Sequence, residues 1–254
     1  MAVEDGMGFY KSIKKRYHWL TKIRYDKRTG FFVYKRFGKN IYIRHPRHYM
    51  DEKSNIWYCE NVVYSHYKPV SGDLVVDLGA GYGEEAIYLT RNAKSGIRYI
   101  GVEVQPVIYE CLANTFNDSN EDFIAVPFAI SDKPFLKFVS QMSYASVGET
   151  PEAYVEVPTL SWPDFLKRYQ IDRIDLLKMN IEGAEKEVMK LITDFSIIKR
   201  LAISCHDFRA DEGDGEWYRS KEIVTKILKD NGYSLKTVNL GISYVDDWIF
   251  AERE

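Results

Sequence analysis

Beyond Ser71 the chain alternates short, continuous apolar runs with stretches whose apolar residues recur every three or four positions. The runs are LVVDLG, YIGVEV, FIAVPFAIS, IDLLKMN and LAISCHDF, and helical patterns begin at about Glu84, at about Pro106 and after each of the last two runs. A continuous apolar run suits a strand buried on both faces, so this alternation predicts an α/β fold, a doubly wound, Rossmann-like parallel sheet with helices on both sides. Two further runs, YSLKTVNL and ISYVDDWIFAER, are separated only by a short turn at Gly241. They predict a C-terminal antiparallel hairpin with no helix between its strands.

The first 70 residues follow another pattern. Phe9, Tyr10, Ile13, Tyr17, Leu20 and Ile23 lie at spacings of three and four among basic residues, which predicts an amphipathic helix over 9–24. FFVYKRFGKNIYIRHP reads as two strands about the turn Phe37-Gly38-Lys39-Asn40. Residues 51–68 carry Ile56, Trp57, Val62, Val63 and Tyr67 on a helical stripe, and Pro69 and Gly72 then punctuate the chain. The expected organisation is an N-terminal helix and hairpin extension over 1–70, a lid or substrate-facing element, followed by one main domain over 71–254.

Charge sharpens that division. Residues 1–70 hold 15 Lys and Arg against 6 Asp and Glu, a balance of +9, while the whole chain is at −2, so the remainder carries −11. Either the extension faces something anionic, or it is a solvated basic element that balances an acidic body. Apolar content of 45% and charged content of 28% are those of a water-soluble globular chain. No apolar run reaches membrane-spanning length, and the opening MAVEDGMGFYKS lacks the order of a secretory signal, so a cytoplasmic protein is expected. Cys59, Cys111 and Cys205 form no CxxC pattern and read as buried thiols.

Candidate chemistry begins at Val75-Val76-Asp77-Leu78-Gly79-Ala80-Gly81-Tyr82-Gly83-Glu84, an apolar strand that runs into glycines at alternate positions. Ligands in open α/β sheets bind beyond the carboxyl ends of the strands, where this loop lies. Glu103 ends the next strand, followed by Val104, and an acidic residue there can accept both hydroxyls of a ribose. A dinucleotide site would aim GxGxxG and a helix N-terminus at a pyrophosphate, whereas this loop reads GxGxG and continues into Glu84 and Glu85, which would repel it. Asp77 suits a cationic amine or sulfonium, which points to S-adenosylmethionine, with Asp77, Gly79, Ala80, Gly81, Glu84, Glu103 and Val104 as the contacts. Ser131 and Asp132, after FIAVPFAI, are candidates for an adenine edge or, equally, for capping a turn.

A second signature runs Ile174-Asp175-Leu176-Leu177-Lys178-Met179-Asn180-Ile181-Glu182-Gly183-Ala184-Glu185. Together with VVDLGAGYG, GVEV, FAISDK and VPTLSWPDFL it resembles the FkbM family of methyltransferases over roughly residues 60–210. The resemblance implies a class I methyltransferase fold and methyl transfer from S-adenosylmethionine, most often to hydroxyls of sugars, glycolipids or polyketide-type metabolites. Two departures matter: Asn180 stands where the family usually has aspartate, and Ser204 where it often has glutamate. Asn180 can orient a ligand but is no base, which moves that role towards Glu182 or His206. His206 is best matched to neutral pH, and Glu182, which precedes a glycine, is a candidate either for the base or for a cap on the next helix N-terminus. Lys178 would pair with Glu185 or with an anion of the substrate.

The expected acceptor is therefore a small molecule or glycan, anionic if the basic extension faces it. Methylation of RNA is the alternative that the basic, tyrosine-rich extension favours. It lacks the Asn-Pro-Pro-aromatic loop of enzymes that methylate base amino groups. A non-catalytic partner subunit of the same fold is a third reading, motivated by Asn180, and a dehydrogenase a fourth, opposed by the loop chemistry and the terminal hairpin. Asp207, Asp211 and Asp214 could bind a divalent ion, although Asp-rich loops are usually just solvated.

Overall fold

The computed structural model describes residues 22–92, 95–139 and 154–253. Most of the helix expected over 9–24 lies outside them, and Arg24, its expected end, instead opens a strand. Strands β1 (Arg24–Asp26), β2 (Phe31–Arg36) and β3 (Lys39–Ile43) form an antiparallel sheet in that order. The β2–β3 turn is tight because Phe37 and Gly38 both take positive φ, 48° and 79°, the pattern of a two-residue hairpin whose twist matches its strands. Helix α1 (Glu52–Tyr58) starts where Asp51 accepts from the Ser54 amide at 3.1 Å, and continues as one wide turn over Cys59–Val63.

The main sheet contains β4 (Leu74–Leu78), β5 (Arg98–Val102), β6 (Phe123–Val126), β10 (Leu176–Met179), β11 (Arg200–Ser204), β12 (Ser234–Thr237) and β13 (Trp248–Glu252). Its order is β12-β13-β11-β10-β4-β5-β6, parallel from β6 to β11, with β13 antiparallel to both of its neighbours. This is the mostly parallel class I arrangement, reached because the central strands are apolar on both faces. Val76, Leu78, Ile100, Leu177 and Met179 pack on one side with Trp162 and Phe165. Val75, Tyr99 and Leu176 pack on the other with Ile87, Trp248 and the hairpin residues Tyr34, Ile41 and Ile43. Helices α2 (Glu84–Leu89) and α3 (Pro106–Ser119) follow β4 and β5, α4 (Trp162–Arg168) precedes β10, and α5 (Glu185–Leu191), α6 (Asp207–Asp211) and α7 (Lys221–Asp230) lie in the second half. All three cysteines are free and buried.

Three departures from the sequence reading have identifiable causes. FIAVPFAIS is not one strand: Pro127, which has no amide to donate, ends β6 at Val126. The chain then enters a second sheet, β7-β9-β8, formed by β7 (Ala129–Ile130), β8 (Phe135–Val139) and β9 (Tyr154–Leu160). In the terminal pair, residues Ser243–Asp246 form a helical turn, α8, where a strand was expected, because Asp246 accepts from the amides of Leu240 and Gly241 at 2.7 and 3.0 Å. The later strand of that pair, β13, also lies inside the sheet and leaves β12 at the edge.

Candidate active site

A cleft of about 1510 Å3 opens beyond the carboxyl ends of β4, β5, β10 and β11. Gly79, Ala80, Gly81, Glu84, Glu103, Val104, Ser131, Asp132, Asn180, Glu182 and His206 all line it. Residues proposed from separate stretches of sequence thus meet at the switch in strand order between β4 and β10, the position the fold dictates.

Glycine is required at Gly79. Its φ is 84°, and a Cβ there would lie 2.0 Å from the carbonyl oxygen of Asn180, so the loops after β4 and β10 meet backbone to backbone. At Gly81 a Cβ would meet nothing within 4 Å, leaving open space above the loop. Glu103 ties this loop to the end of β5: one carboxylate oxygen accepts from the Gly81 amide at 3.1 Å and the other from Gln105 at 2.8 Å. Burial pushes its carboxyl up to about 7, against the lowering effect of those two amides. Ser131 accepts from the Lys133 amide at 3.1 Å, so its hydroxyl caps a turn while also bordering the cleft; Asp132 is exposed beside it.

Asp77 differs from the sequence reading. It lies beneath the cleft rather than in its wall, fully buried, and its cation comes from the chain itself. Lys178 is its cross-strand neighbour in the β4–β10 register, with Nζ 2.9 Å from Asp77 Oδ1 and 3.1 Å from the Gly79 carbonyl. The Tyr99 hydroxyl donates to the other Asp77 oxygen at 2.5 Å. Burial alone would lower the Lys178 ammonium, but Asp77 and Glu85 outweigh it and the group is raised and charged. The expected pairing of Lys178 with Glu185 is therefore corrected.

Glu185 serves another residue. Fully buried, it accepts from the amides of Ile181 and Gly183 at 3.0 and 3.3 Å, and its Oε1 lies 3.0 Å from His206 Nδ1. The opposite ring nitrogen, Nε2, is 3.7 Å from Glu182 Oε1. Burial disfavours a charged imidazole, yet the adjacent carboxylate of Glu185, with the charge of Glu182, wins and raises His206 above its usual value. Glu182 does not cap the following helix. It stands at φ 55°, a costly conformation for a residue with a side chain, and its carboxylate is held by Arg209 at 2.8 Å. Arg209 in turn binds Asp214 at 2.8 Å, Asp211 pairs with Arg219, and Asp207 accepts from Ser220 and Lys221. Among the described residues no group of three or more His, Cys, Asp or Glu is placed to hold a metal ion.

The hairpin reaches the glycine loop at two points that the sequence did not single out. The Tyr34 hydroxyl donates to Glu84, whose carboxyl burial pushes up to about 7. The His48 ring stacks on Tyr82 at 5.4 Å between centroids, and the Tyr82 hydroxyl lies 2.6 Å from His48 Nδ1. Helical spacing and strand alternation carry no information about such contacts between segments far apart in the chain.

The chemistry of the donor set fits S-adenosylmethionine. Asp77, Glu84, Glu85 and Glu103 place four carboxyls on or under the floor beside the ammonium of Lys178, an environment that favours a cationic ligand and opposes a pyrophosphate. Glu103 offers acceptors for a diol, and Val104, Ile108 and Ile130 offer an apolar slot beside Ser131.

A model of the FkbM methyltransferase domain matches residues 77–235. No curated protein matches the chain. Among solved structures, fibrillarin from Aeropyrum pernix with bound S-adenosylmethionine aligns at 16% identity and TM-score 0.44, covering 87% of this chain and 82% of that one. A fibrillarin/Nop5p complex aligns at 16% and 0.48, covering 92% and 98%. A methyltransferase from Aquifex aeolicus aligns at 16% and 0.44, covering 80% and 97%. None of these likenesses bears on what this chain acts upon.

Proposed function

This chain belongs to the FkbM methyltransferase family and uses S-adenosylmethionine, and from that premise we propose that it methylates a hydroxyl group of a sugar, glycan or small secondary metabolite. The observation that carries this reading is the setting of His206, a buried imidazole at the cleft between two carboxylates. The extension acts in this scheme as an accessory element facing the acceptor through His48, Met50, Trp57 and Tyr58, which line the cleft.

When bound, the cofactor supplies a methyl group on an electrophilic sulfonium. Glu103, Gly79, Ala80, Gly81, Val104, Ser131 and Asp132 would hold it, Glu84 would face its cationic end, and Asp77 would act from below by fixing Lys178 and the glycine loop. His206 is the base. Glu185 beside Nδ1 favours the tautomer with its hydrogen there, leaving Nε2 to accept the hydroxyl proton. Glu185 and Glu182 stabilise the imidazolium that forms. The Asn180 side chain orients the acceptor, and Arg209 keeps Glu182 in place. Trp57, Tyr58, Tyr82, Phe208, Trp217 and Tyr244 line the same cleft, and such flat apolar faces with polar edges suit a sugar ring.

The test is methyl transfer to a saccharide panel by wild type and His206→Gln. The variant is expected to lose about 10²- to 10⁴-fold in kcat with S-adenosylhomocysteine affinity unchanged. Because folding raises His206, wild-type kcat/KM should fall as pH drops through the raised value and the imidazole takes its proton early, and the variant should lack that limb. Full activity in His206→Gln would refute the assignment. RNA methylation is the second reading, supported by the exposed Lys22, Arg24, Lys27 and Arg28 around Tyr25, itself 55% exposed. A partner subunit without catalysis is a third: it would bind cofactor tightly and transfer no methyl group to any acceptor.

A further inference from the structure

The cleft carries the carboxyls of Glu84, Glu85 and Glu103 on its floor; of its other charged lining residues, Glu182 is paired with Arg209 and Lys190 with Glu187, and Lys133 lies beside Asp132. The mouth of the cleft on the hairpin side is basic. The segment Arg44-His45-Pro46-Arg47-His48 leaves β3 and makes a short turn over Pro46–His48, which His45 caps by accepting from the Arg47 amide. Arg44, His45 and Arg47 are exposed, while His48 turns inward and lines the cleft against Tyr82. Arg47 Nε lies 3.1 Å from His48 Nε2, so the surface guanidinium and the cleft wall are in direct contact.

These two arginines differ from several others of the described residues. Arg209 is held by Glu182 and Asp214, Arg219 by Asp211 and Glu216, and Arg91 by Glu60. Neither Arg44 nor Arg47 forms an ion pair among the described residues. Burial first, and then the charges of Arg47, His45 and Arg44, hold the His48 imidazole below its usual value. Trp57 and Tyr244, 40% and 46% exposed, border the same opening.

An acidic interior rejects an anion and an unpaired pair of guanidiniums at the rim accepts one. We infer that the acceptor is a phosphorylated sugar, its neutral hydroxyl end entering the cleft while Arg44 and Arg47 hold its phosphate or diphosphate at the mouth beside His48. This rests on the hydroxyl-methylation reading and names its substrate class. The acceptor is anchored by charge at one end and methylated at the other, so a neutral sugar of the same shape binds poorly.

The test uses the full chain saturated with S-adenosylhomocysteine and calorimetric titration of inorganic pyrophosphate, glucose, UDP-glucose and a single-stranded oligouridylate. The wild type should bind pyrophosphate and UDP-glucose, and glucose at least tenfold more weakly. The double variant R44E/R47E, altered only at exposed positions, should lose pyrophosphate and UDP-glucose binding by at least tenfold and keep its cofactor affinity. Absence of pyrophosphate binding, or binding indifferent to the charge reversal, overturns the inference. So does oligouridylate binding more tightly than UDP-glucose with a steep salt dependence, which would assign the basic rim to RNA. Methyl transfer to neutral saccharides alone would overturn it while leaving the hydroxyl-methylation reading intact, whereas loss of cofactor binding in wild type would undo both.

Discussion

Replacing Glu103 by glutamine separates what this carboxyl costs the fold from what it does for the ligand. Folding lifts it from 4.5 to about 7, so the native state retains a proton that the unfolded chain has released, and stability falls as pH rises between those values. At about 1.4 kcal/mol per pH unit the full effect is roughly 3 kcal/mol. The group borders the cleft and is only partly buried, and solvent screening reduces this to about 1–2 kcal/mol. Glutamine does not titrate, but it keeps only one acceptor oxygen for the two amides of Gly81 and Gln105, a loss of about 1 kcal/mol at every pH. Urea unfolding without cofactor at about pH 5 and about pH 8.5 reads the difference. Glu103→Gln should be the less stable protein at the lower pH and should gain about 1–2 kcal/mol relative to wild type at the higher. S-adenosylhomocysteine should bind it about ten- to a hundredfold more weakly, since a charged acceptor for the ribose diol is gone. A stability difference that does not change between the two pH values would refute the reasoning.

Other substitutions probe the frame around the site. Gly79→Ala, whose Cβ would lie 2.0 Å from the Asn180 carbonyl oxygen on a backbone at φ 84°, should lose about 3 kcal/mol or more in urea unfolding; a loss under about 1 kcal/mol would contradict the close approach. Lys178→Met leaves Asp77 and Glu85 buried without their cation and should cost about 3–5 kcal/mol, of which Asp77→Asn in the same chain should recover a large part; strictly additive losses would show that the two residues do not interact.

The legible parts of this protein are those encoded over short stretches. The run into Gly79 and Gly81, the placement of Glu103 one strand later, and the turn at Phe37 and Gly38 each depend on neighbours within a few residues or one strand–helix unit. The Lys178–Asp77 pair was misassigned because it follows from the register of two strands far apart in the chain, which periodicity does not contain. Glu185, expected beside Lys178, instead takes the amides of the loop after β10, and Glu182, expected as a base or a helix cap, is held by Arg209, because that loop folds back onto Glu185. Pro127 carried a usable signal, since proline inside a buried parallel strand argues against continuity. The helical turn over Ser243–Asp246 had a weaker one, an acidic pair interrupting the apolar alternation. The contacts of Tyr34 and His48 with the glycine loop had none.

The placement of β13 bears on how the polypeptide can be made. β11 and β12 have all their neighbours only when Trp248–Glu252 slides between them as an antiparallel strand. During synthesis every other strand of the main sheet emerges from the ribosome first, and until then β11 presents an open, strongly apolar edge. The sheet therefore closes at the end of translation of this region rather than progressively, and a nascent chain stalled before Trp248 would be a client for a chaperone rather than a smaller folded protein.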